Sequence, residues 1–442
     1  MPTVFNQSLW GDEAFSAVLS MNPIPKILEI IQKDTSPPLY NLILHYWYQI
    51  FGTGEVAIRA LSFLYFILAV FFVYKIGSLL FSRKTGFLAA VLTFLNPFFF
   101  TYAFEGRMYS ILALGVVASM YFFLKKQWTL YVIATLWALY SHHFSIFAVM
   151  VQGLWFLYEL VSGERKTVFN MFKSFVAIIV LYIPWLIPLY KQTKMVGGGF
   201  WLGTPTLVDL RNLIYEYLAE GIKKPLINIP FINKNLGQIS LYLVMGILLL
   251  CKWTKNIKKT LFLLSWFLLP IAIAWGISQK FTSIFFNRYL LYTIPAAMLI
   301  LASNGRKYAG ILVGILLICF GIIDYNYFTH PAKKPFSEMA SYVKLVEKPG
   351  DFLINWNSNA HHLWESKYYG ISAPIYLPNG KLPFYVGTAQ MTDKDIVSEI
   401  PPSERIGIIT SGQDEEVNVR GYKKESVKIF GELKFITLTH TR

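Results

Sequence analysis

The chain has 442 residues, of which 55% are hydrophobic and 15% charged, and its mean hydropathy is +0.46. These values exclude an ordinary soluble domain and indicate a polytopic membrane protein. The formal charge of +15 does not make it a nucleic-acid binder: its basic residues stand at the ends of apolar runs, where they serve topology and contact with anionic headgroups, and no nucleic-acid partner is expected.

Residues 1–55 read as a segment on the outer face of the membrane. It carries the adjacent acids of Leu9-Trp10-Gly11-Asp12-Glu13-Ala14-Phe15 and a half-apolar helix, Pro37 to Phe51, opened by Pro37-Pro38. Leu39, Leu42, Ile43, Tyr46 and Trp47 recur at three- and four-residue spacing, and the aromatic residues suit a helix lying at the interface. Nothing before Trp10 is long enough to be a signal peptide or a span, so either the amino terminus translocates unaided or a first span lies outside this sequence.

Residues 56–329 form the transmembrane bundle. Runs of the length a bilayer demands number about ten: 56–81, 86–104, 108–124, 128–142, 144–161, 171–190, 237–252, 260–279, 287–304 and 308–325. The clusters Arg83-Lys84, Lys125-Lys126, Arg165-Lys166, Lys252 to Lys259 and Arg306-Lys307 fall in alternate gaps, which the positive-inside rule places in the cytoplasm. An even count then puts both chain ends outside. Residues 191–236 read as a long outward loop rich in Gly, Pro and Trp, of the kind that serves as a lid or binding element. Cys251 and Cys319 have no metal-type spacing and indicate neither a disulfide framework nor a zinc site.

Residues 330–442 turn soluble in composition and read as a small α/β domain. The pattern predicts helices near Phe336 to Glu347, near Asn359 to Tyr369 and after Thr392. It predicts strands at Asp351 to Asn355 and Arg405 to Thr410, with a terminal hairpin around Gly431. No glycine loop suited to cradling a phosphate is present.

The outward gaps hold the residues suited to chemistry. Asp12 and Glu13 sit among large apolar groups, where partial desolvation raises a carboxylate's proton affinity and favours a general base; the same pair also reads as solvated loop acids. Glu105-Gly106-Arg107-Met108-Tyr109 follows the aromatic run Phe98 to Tyr102. An acid and a guanidinium at the mouth of a span must pair or bind something, so a salt bridge from Arg107 to Glu105 or Asp12 is the structural alternative. His142-His143 marks an interface or a metal site. Arg288 in Asn287-Arg288-Tyr289 can fork onto a phosphate or snorkel to headgroups.

Trp10-Gly11-Asp12-Glu13, Pro37-Pro38-Leu39-Tyr40, Arg59-Ala60-Leu61-Ser62, Glu105-Gly106-Arg107-Met108-Tyr109 and Arg288-Tyr289-Leu290-Leu291 with Pro295 occur in that order over about residues 8–330. Together they resemble the GT-C membrane glycosyltransferases of the protein O-mannosyltransferase and aminoarabinose-transferase group, family 39-like. The resemblance implies a mainly α, polytopic GT-C bundle of about ten spans, to which the chain adds its small extracytoplasmic α/β domain. It also implies a sugar donor on a polyprenyl or dolichyl monophosphate, membrane lipid as surroundings, and a protein, glycan or lipid acceptor. Carried over by position, Asp12 takes the acceptor's hydroxyl proton and Glu13 orients Asp12 or the acceptor. Arg288, with Arg107, Tyr289 and a histidine of the His142-His143 pair, grips the departing phosphate. Glu105 corresponds to an acid that in some relatives helps to hold a divalent cation such as Mg or Mn.

One displacement would invert the anomeric centre, and no cofactor is required because arginine can offset the charge of a monophosphate leaving group. The active site would be extracytoplasmic, in a multi-pass plasma-membrane protein. Relatives normally carry a span ahead of the acidic loop, and the small carboxy-terminal domain favours a prokaryotic relative of unassigned acceptor. Two readings from other classes stay open on sequence: a lipid-linked-sugar flippase, although no internal repeat or midplane charge is seen, and a non-catalytic partner subunit.

Overall fold

The computed structural model describes residues 3–222, 230–250, 257–303, 307–356 and 361–441; for residues 230–234 and 307 only the helical backbone is described. Cys251, Lys252 to Asn256, Arg306 and Asn359 lie outside these residues, so the expectations placed on them do too. The chain forms two compact units. One contains Met1–Asp34, Asn41–Ile58 and Pro331–Arg442, and the other contains Thr35–Tyr40 and Arg59–His330.

The amino-terminal segment is more helical than its sequence suggests: α1 (Gly11–Ser20), α2 (Ile24–Ile31) and α3 (Leu39–Phe51). In α2 Ile27, Ile30 and Ile31 form a buried stripe, and α3 carries the three- and four-residue spacing noted above. In α1 Gly11, Glu13, Ala14, Phe15, Ser16, Ala17, Leu19 and Ser20 are all buried, so nearly the whole circumference is packed and tertiary contacts, not an amphipathic period, make the helix.

The apolar runs are helical. They are α4 (Glu55–Leu80), α5 (Arg83–Phe94), α6 (Pro97–Ala103), α7 (Tyr109–Leu124), α8 (Trp128–Ser141), α9 (Ser145–Ser162) and α10 (Arg165–Gly197), and then, after a shorter α11 (Leu207–Tyr215), α12 (Pro230–Leu249), α13 (Ile257–Ser278), α14 (Ile294–Ala302) and α15 (Lys307–Thr329). Among the described residues five of these, α4, α9, α10, α13 and α15, are long and apolar enough to cross a membrane, and six spans result if the pair α5 and α6, bent by 67°, counts as one. The stretches at Tyr109–Leu124, Trp128–Ser141, Asn235–Leu249 and Leu291–Ala302 are apolar but shorter. The count of about ten spans is therefore not confirmed among the described residues. Asn96-Pro97 ends α5, and the Asn96 side chain caps α6 through the Phe99 N–H at 3.0 Å.

Where backbones approach closely, glycine permits it: a Cβ on Gly77 would lie 2.6 Å from the Gly86 Cα, and one on Gly115 would lie 2.8 Å from Ala138. Along α10, Ile179, Val180, Leu181, Ile183, Leu186 and Ile187 are exposed, an uncovered apolar face that suits lipid as its solvent. The expected loop 191–236 is largely helical within its described residues. The helix α10 runs on through Pro184 and Pro188 to Gly197, Thr206 caps α11 by accepting from the Asp209 N–H at 3.3 Å, and α11 continues into a π-helical turn, Glu216–Glu220.

The carboxy-terminal part contains α16 (Phe336–Val346), α17 (His361–Tyr368) and six strands: β1 (Phe352–Trp356), β2 (Ile375–Tyr376), β3 (Ile396–Val397), β4 (Arg405–Thr410), β5 (Tyr422–Phe430) and β6 (Leu433–His440). The sheet order is β3-β2-β1-β4-β6-β5. The first four strands are parallel, β6 is antiparallel to β4, and the β5–β6 hairpin turns at Gly431 with φ 58°. Alternation along β4 sends Ile406 and Ile408 to one face, packed with Ile354, Ile436 and Leu438, and Ile409 to the other, packed with Phe336, Met339 and Val343 of α16.

The helix expected after Thr392 is absent. Residues Asp393–Asp395 make a single 3-10 turn closed by the Thr392 N–H on Asp395 at 2.7 Å, Asp395 also pairs with Lys367 at 2.7 Å, and the β-branched residues that follow join the sheet as β3.

Candidate active site

Asp12 and Glu13 open α1, where the unpaired N–H groups of the first turn favour negative charge. The two acids diverge. Glu13 has no exposed side-chain surface; its Oε2 receives the Lys333 ammonium at 2.8 Å and the Trp10 N–H at 3.4 Å. Asp12 keeps 22% of its side chain exposed, and its Oδ1 lies 3.9 Å from Nδ1 of His361, the first residue of α17.

The strand-like lead into α1 is tied to the carboxy-terminal segment at several points. The Lys333 N–H donates to Gln7 at 3.1 Å, the Ser337 N–H to the Ser8 hydroxyl at 3.0 Å, and the Leu9 N–H to the Tyr369 hydroxyl at 2.9 Å, which in turn donates to Glu55 at 3.0 Å. Lys333 also stands 5.7 Å from the Trp10 ring centroid, and the Trp10 and His361 rings are 5.9 Å apart. Gly11 is the only residue type that fits beneath His361, because a Cβ there would lie 2.3 to 2.6 Å from the His361 side chain. Every residue of Trp10-Gly11-Asp12-Glu13 is thus engaged by Lys333 or His361.

The second unit gathers the other candidates. Arg288, in a 3-10 turn, stacks its guanidinium 4.8 Å from the Phe286 centroid, 5.5 Å from Tyr109 and 6.0 Å from Tyr289. Asn287 locks that turn: its side chain accepts from the Arg288 N–H at 2.8 Å and donates to Glu216 at 3.0 Å, while its carbonyl accepts from the Tyr217 hydroxyl. The Tyr217 carbonyl is in turn held by Asn96 at 2.8 Å. Arg288 and Glu105 both act electrostatically on Tyr102, and Arg107 and Arg288 both act on His142, so these four candidates share one neighbourhood.

The Tyr289 ring lies 5.0 Å from His142 and 6.4 Å from Tyr109. Both histidines occupy the connection between α8 and α9. Burial, then His143, Arg107 and Arg288, push the His142 pKa well below the ordinary histidine range. Its Nδ1 accepts from the Phe144 N–H at 3.2 Å, which leaves the ring proton on Nε2. His143 is pushed down to about 4 by burial, against the opposing bond from its Nε2 to Gln192 at 2.7 Å. Neither histidine is a cation at neutral pH, so the positive charge of this neighbourhood is that of the two arginines.

Two guanidinium groups share the neighbourhood, and among the described residues no set of three or more His, Cys, Asp or Glu side chains converges as metal ligands.

The sequence pattern gave no sign of Lys333, His361, Asn287, Glu216 or Tyr217 as parts of these sites. The doublet His361-His362 was the one local signal, and no spacing rule links position 361 to position 12.

Residues 35–187 match the family described as dolichyl-phosphate-mannose-protein mannosyltransferase. No curated protein sequence matches the chain. Among solved structures, ArnT from Cupriavidus metallidurans in the apo state superimposes with TM-score 0.57 at 12% identity, over 98% of this chain and 94% of that one. The same protein bound to undecaprenyl phosphate gives 0.52 at 11% identity, over 98% and 95%. The archaeal oligosaccharyltransferase AglB from Archaeoglobus fulgidus, in complex with an inhibitory peptide and a dolichol-phosphate, gives 0.52 at 11% identity, over 92% and 66%. The chain thus shares the fold of these membrane proteins, and it ends in a small carboxy-terminal α/β part.

Proposed function

We propose that this protein transfers a sugar from a polyprenyl monophosphate to an acceptor hydroxyl at the extracytoplasmic face of the plasma membrane, with inversion. The observation that carries the reading is Asp12, a carboxylate in the first turn of α1 with 22% of its side chain exposed, beside Glu13, whose buried Oε2 pairs with Lys333. Glu13 helps to hold the helix, and the partly exposed Asp12 can meet a proton donor. Asp12 removes the hydroxyl proton as the acceptor oxygen attacks the anomeric carbon. Glu13 orients Asp12 through the first turn of α1 and does not face the acceptor.

Arg288 and Arg107 offset the charge that gathers on the lipid phosphate as its bond to the sugar breaks. The aromatic surround of Arg288 fixes the fork before the phosphate arrives, and His142 can add a neutral N–H from Nε2. The lipid-phosphate chemistry agrees with two of the similar structures, which hold undecaprenyl phosphate and dolichol-phosphate. The acceptor is a protein, glycan or lipid hydroxyl.

The test is turnover in lipid nanodiscs with a panel of undecaprenyl-phosphate hexoses and pentoses, read as release of undecaprenyl phosphate and formation of product. Asp12→Asn should lower kcat by about 10²- to 10⁴-fold while undecaprenyl phosphate still binds. Arg288→Lys should weaken that binding, because an ammonium cannot make the paired contact. Wild-type turnover by Asp12→Asn, or movement of the lipid-linked sugar across the bilayer with no product formed, defeats the reading.

A further inference from the structure

The proton that Asp12 removes must leave before the next turnover, and His361 is placed near enough to take it. His361 stands with Nδ1 3.9 Å from the Asp12 carboxylate, and 44% of its side chain is open to solvent. Its position is built. The Trp10 ring lies 5.9 Å away, and Gly11 leaves the space that a Cβ would close.

The work of anchoring α17 falls to the next residue. His362 is buried, its Nδ1 2.7 Å from Glu365 Oε2 and its Nε2 3.1 Å from the Ser411 hydroxyl, at the carboxyl ends of β1 and β4, where the strand order reverses. His361 is therefore not needed to hold its own helix. The charged groups facing it are Asp12 and, across the Trp10 ring, Lys333, whose ammonium is held by Glu13.

We propose that His361 is a positioning residue that acts through Asp12 as the outlet for the acceptor's proton. The inference rests on the transferase reading above. As the acceptor oxygen bonds to the anomeric carbon, the sugar–phosphate bond breaks and its electron pair departs on the phosphate. The hydroxyl proton moves to Asp12. Neutral His361 then takes that proton on Nδ1, which restores the Asp12 carboxylate, and gives up a proton to bulk water from the exposed side of the ring. The 3.9 Å separation closes to hydrogen-bond reach with a small side-chain rotation.

The experiment compares wild type, His361→Ala, His361→Gln and Asp12→Asn as full chains in nanodiscs, with the donor of the panel that wild type turns over and thermal unfolding as the check on folding. His361→Ala should lower kcat about 10- to 100-fold with an unchanged KM for the donor, and imidazole added to the assay should restore part of the loss by entering the vacated space. His361→Gln, which fills that space, should be equally slow and insensitive to imidazole. Wild-type kcat in His361→Ala, or a loss that imidazole does not relieve in a protein of unchanged melting temperature, overturns the inference while Asp12→Asn remains inactive. If Asp12→Asn is active, the transferase reading itself has failed.

Discussion

At the scale of single residues, the Glu13–Lys333 pair is the costliest feature to disturb. A carboxylate with no exposed surface is tolerable only while its counter-charge is present. Lys333→Met should therefore destabilise the protein by about 3–5 kcal/mol, and adding Glu13→Gln should recover part of that loss, both read by denaturant unfolding in detergent. Equal stability in the single and double variants would show that the pair is not coupled.

His143 makes a prediction about pH. Its folded pKa of about 4 lies below the ordinary 6.5, so between those values the unfolded chain binds a proton that the folded chain does not. The stability it contributes is present above pH 6.5 and is lost as the pH falls toward 4, by about 1–3 kcal/mol. His142 shifts in the same direction. Melting temperature measured against pH should fall through that window in wild type and fall less steeply in His143→Gln.

At the scale of elements, α15 carries an oddity that the proposed mechanism does not use. Asp324 is 3% exposed within an apolar helix, and among the described residues neither of its carboxyl oxygens has a hydrogen-bond partner. An unpartnered buried polar group is a cost, so Asp324→Leu should leave stability unchanged or raise it by about 1–3 kcal/mol in detergent unfolding. A clear loss would show that the carboxyl group is engaged in a way its present surroundings do not reveal. The connection from Asn96 through Tyr217 and Asn287 to Arg288 has the opposite character, because each polar group in it is satisfied by the next. It spans residues nearly two hundred positions apart and places a π-helical turn beside the arginine, a local irregularity of the kind found at functional sites.

At the scale of the whole molecule, residues 1–34 and 331–442 belong to one compact unit, which predicts that both stand on the same side of the membrane. The chain between them then crosses an even number of times, which a count of apolar runs cannot establish alone. Lys33 and Lys423, both exposed residues of that unit, offer the check. Cysteines introduced singly at these positions should be labelled by a membrane-impermeant maleimide from the same face, and labelling from opposite faces would refute the shared unit.

Much of this architecture was legible in the chain because it rests on local signals. Apolar run length marked the membrane helices, the period of two marked β1 and β4, and Gly431 marked the hairpin. Span lengths were overestimated at Asn96 and Arg288, since the run 86–104 bends at Asn96-Pro97 and the run 287–304 begins with two 3-10 turns. The helix α1 went unread because burial on nearly all sides erases the periodic stripe by which a helix is recognised, and α2, whose Ile27, Ile30 and Ile31 do form a stripe, is only eight residues long. The helix expected after Thr392 lost to a carboxylate that caps a single turn and pairs with Lys367.

The candidate chemistry divides in the same way. The sequence alone determined a basic, apolar, multi-spanning chain with acids and arginines in alternate gaps, because charge at a bilayer is confined by solvation energy and leaves its mark residue by residue. Only the tertiary structure decided that Glu13 is consumed by Lys333, that Gly11 makes room for His361, and that Asn287 aims Arg288. Those contacts join positions up to some 350 residues apart, and their energy depends on distance in space, which spacing along the chain does not encode.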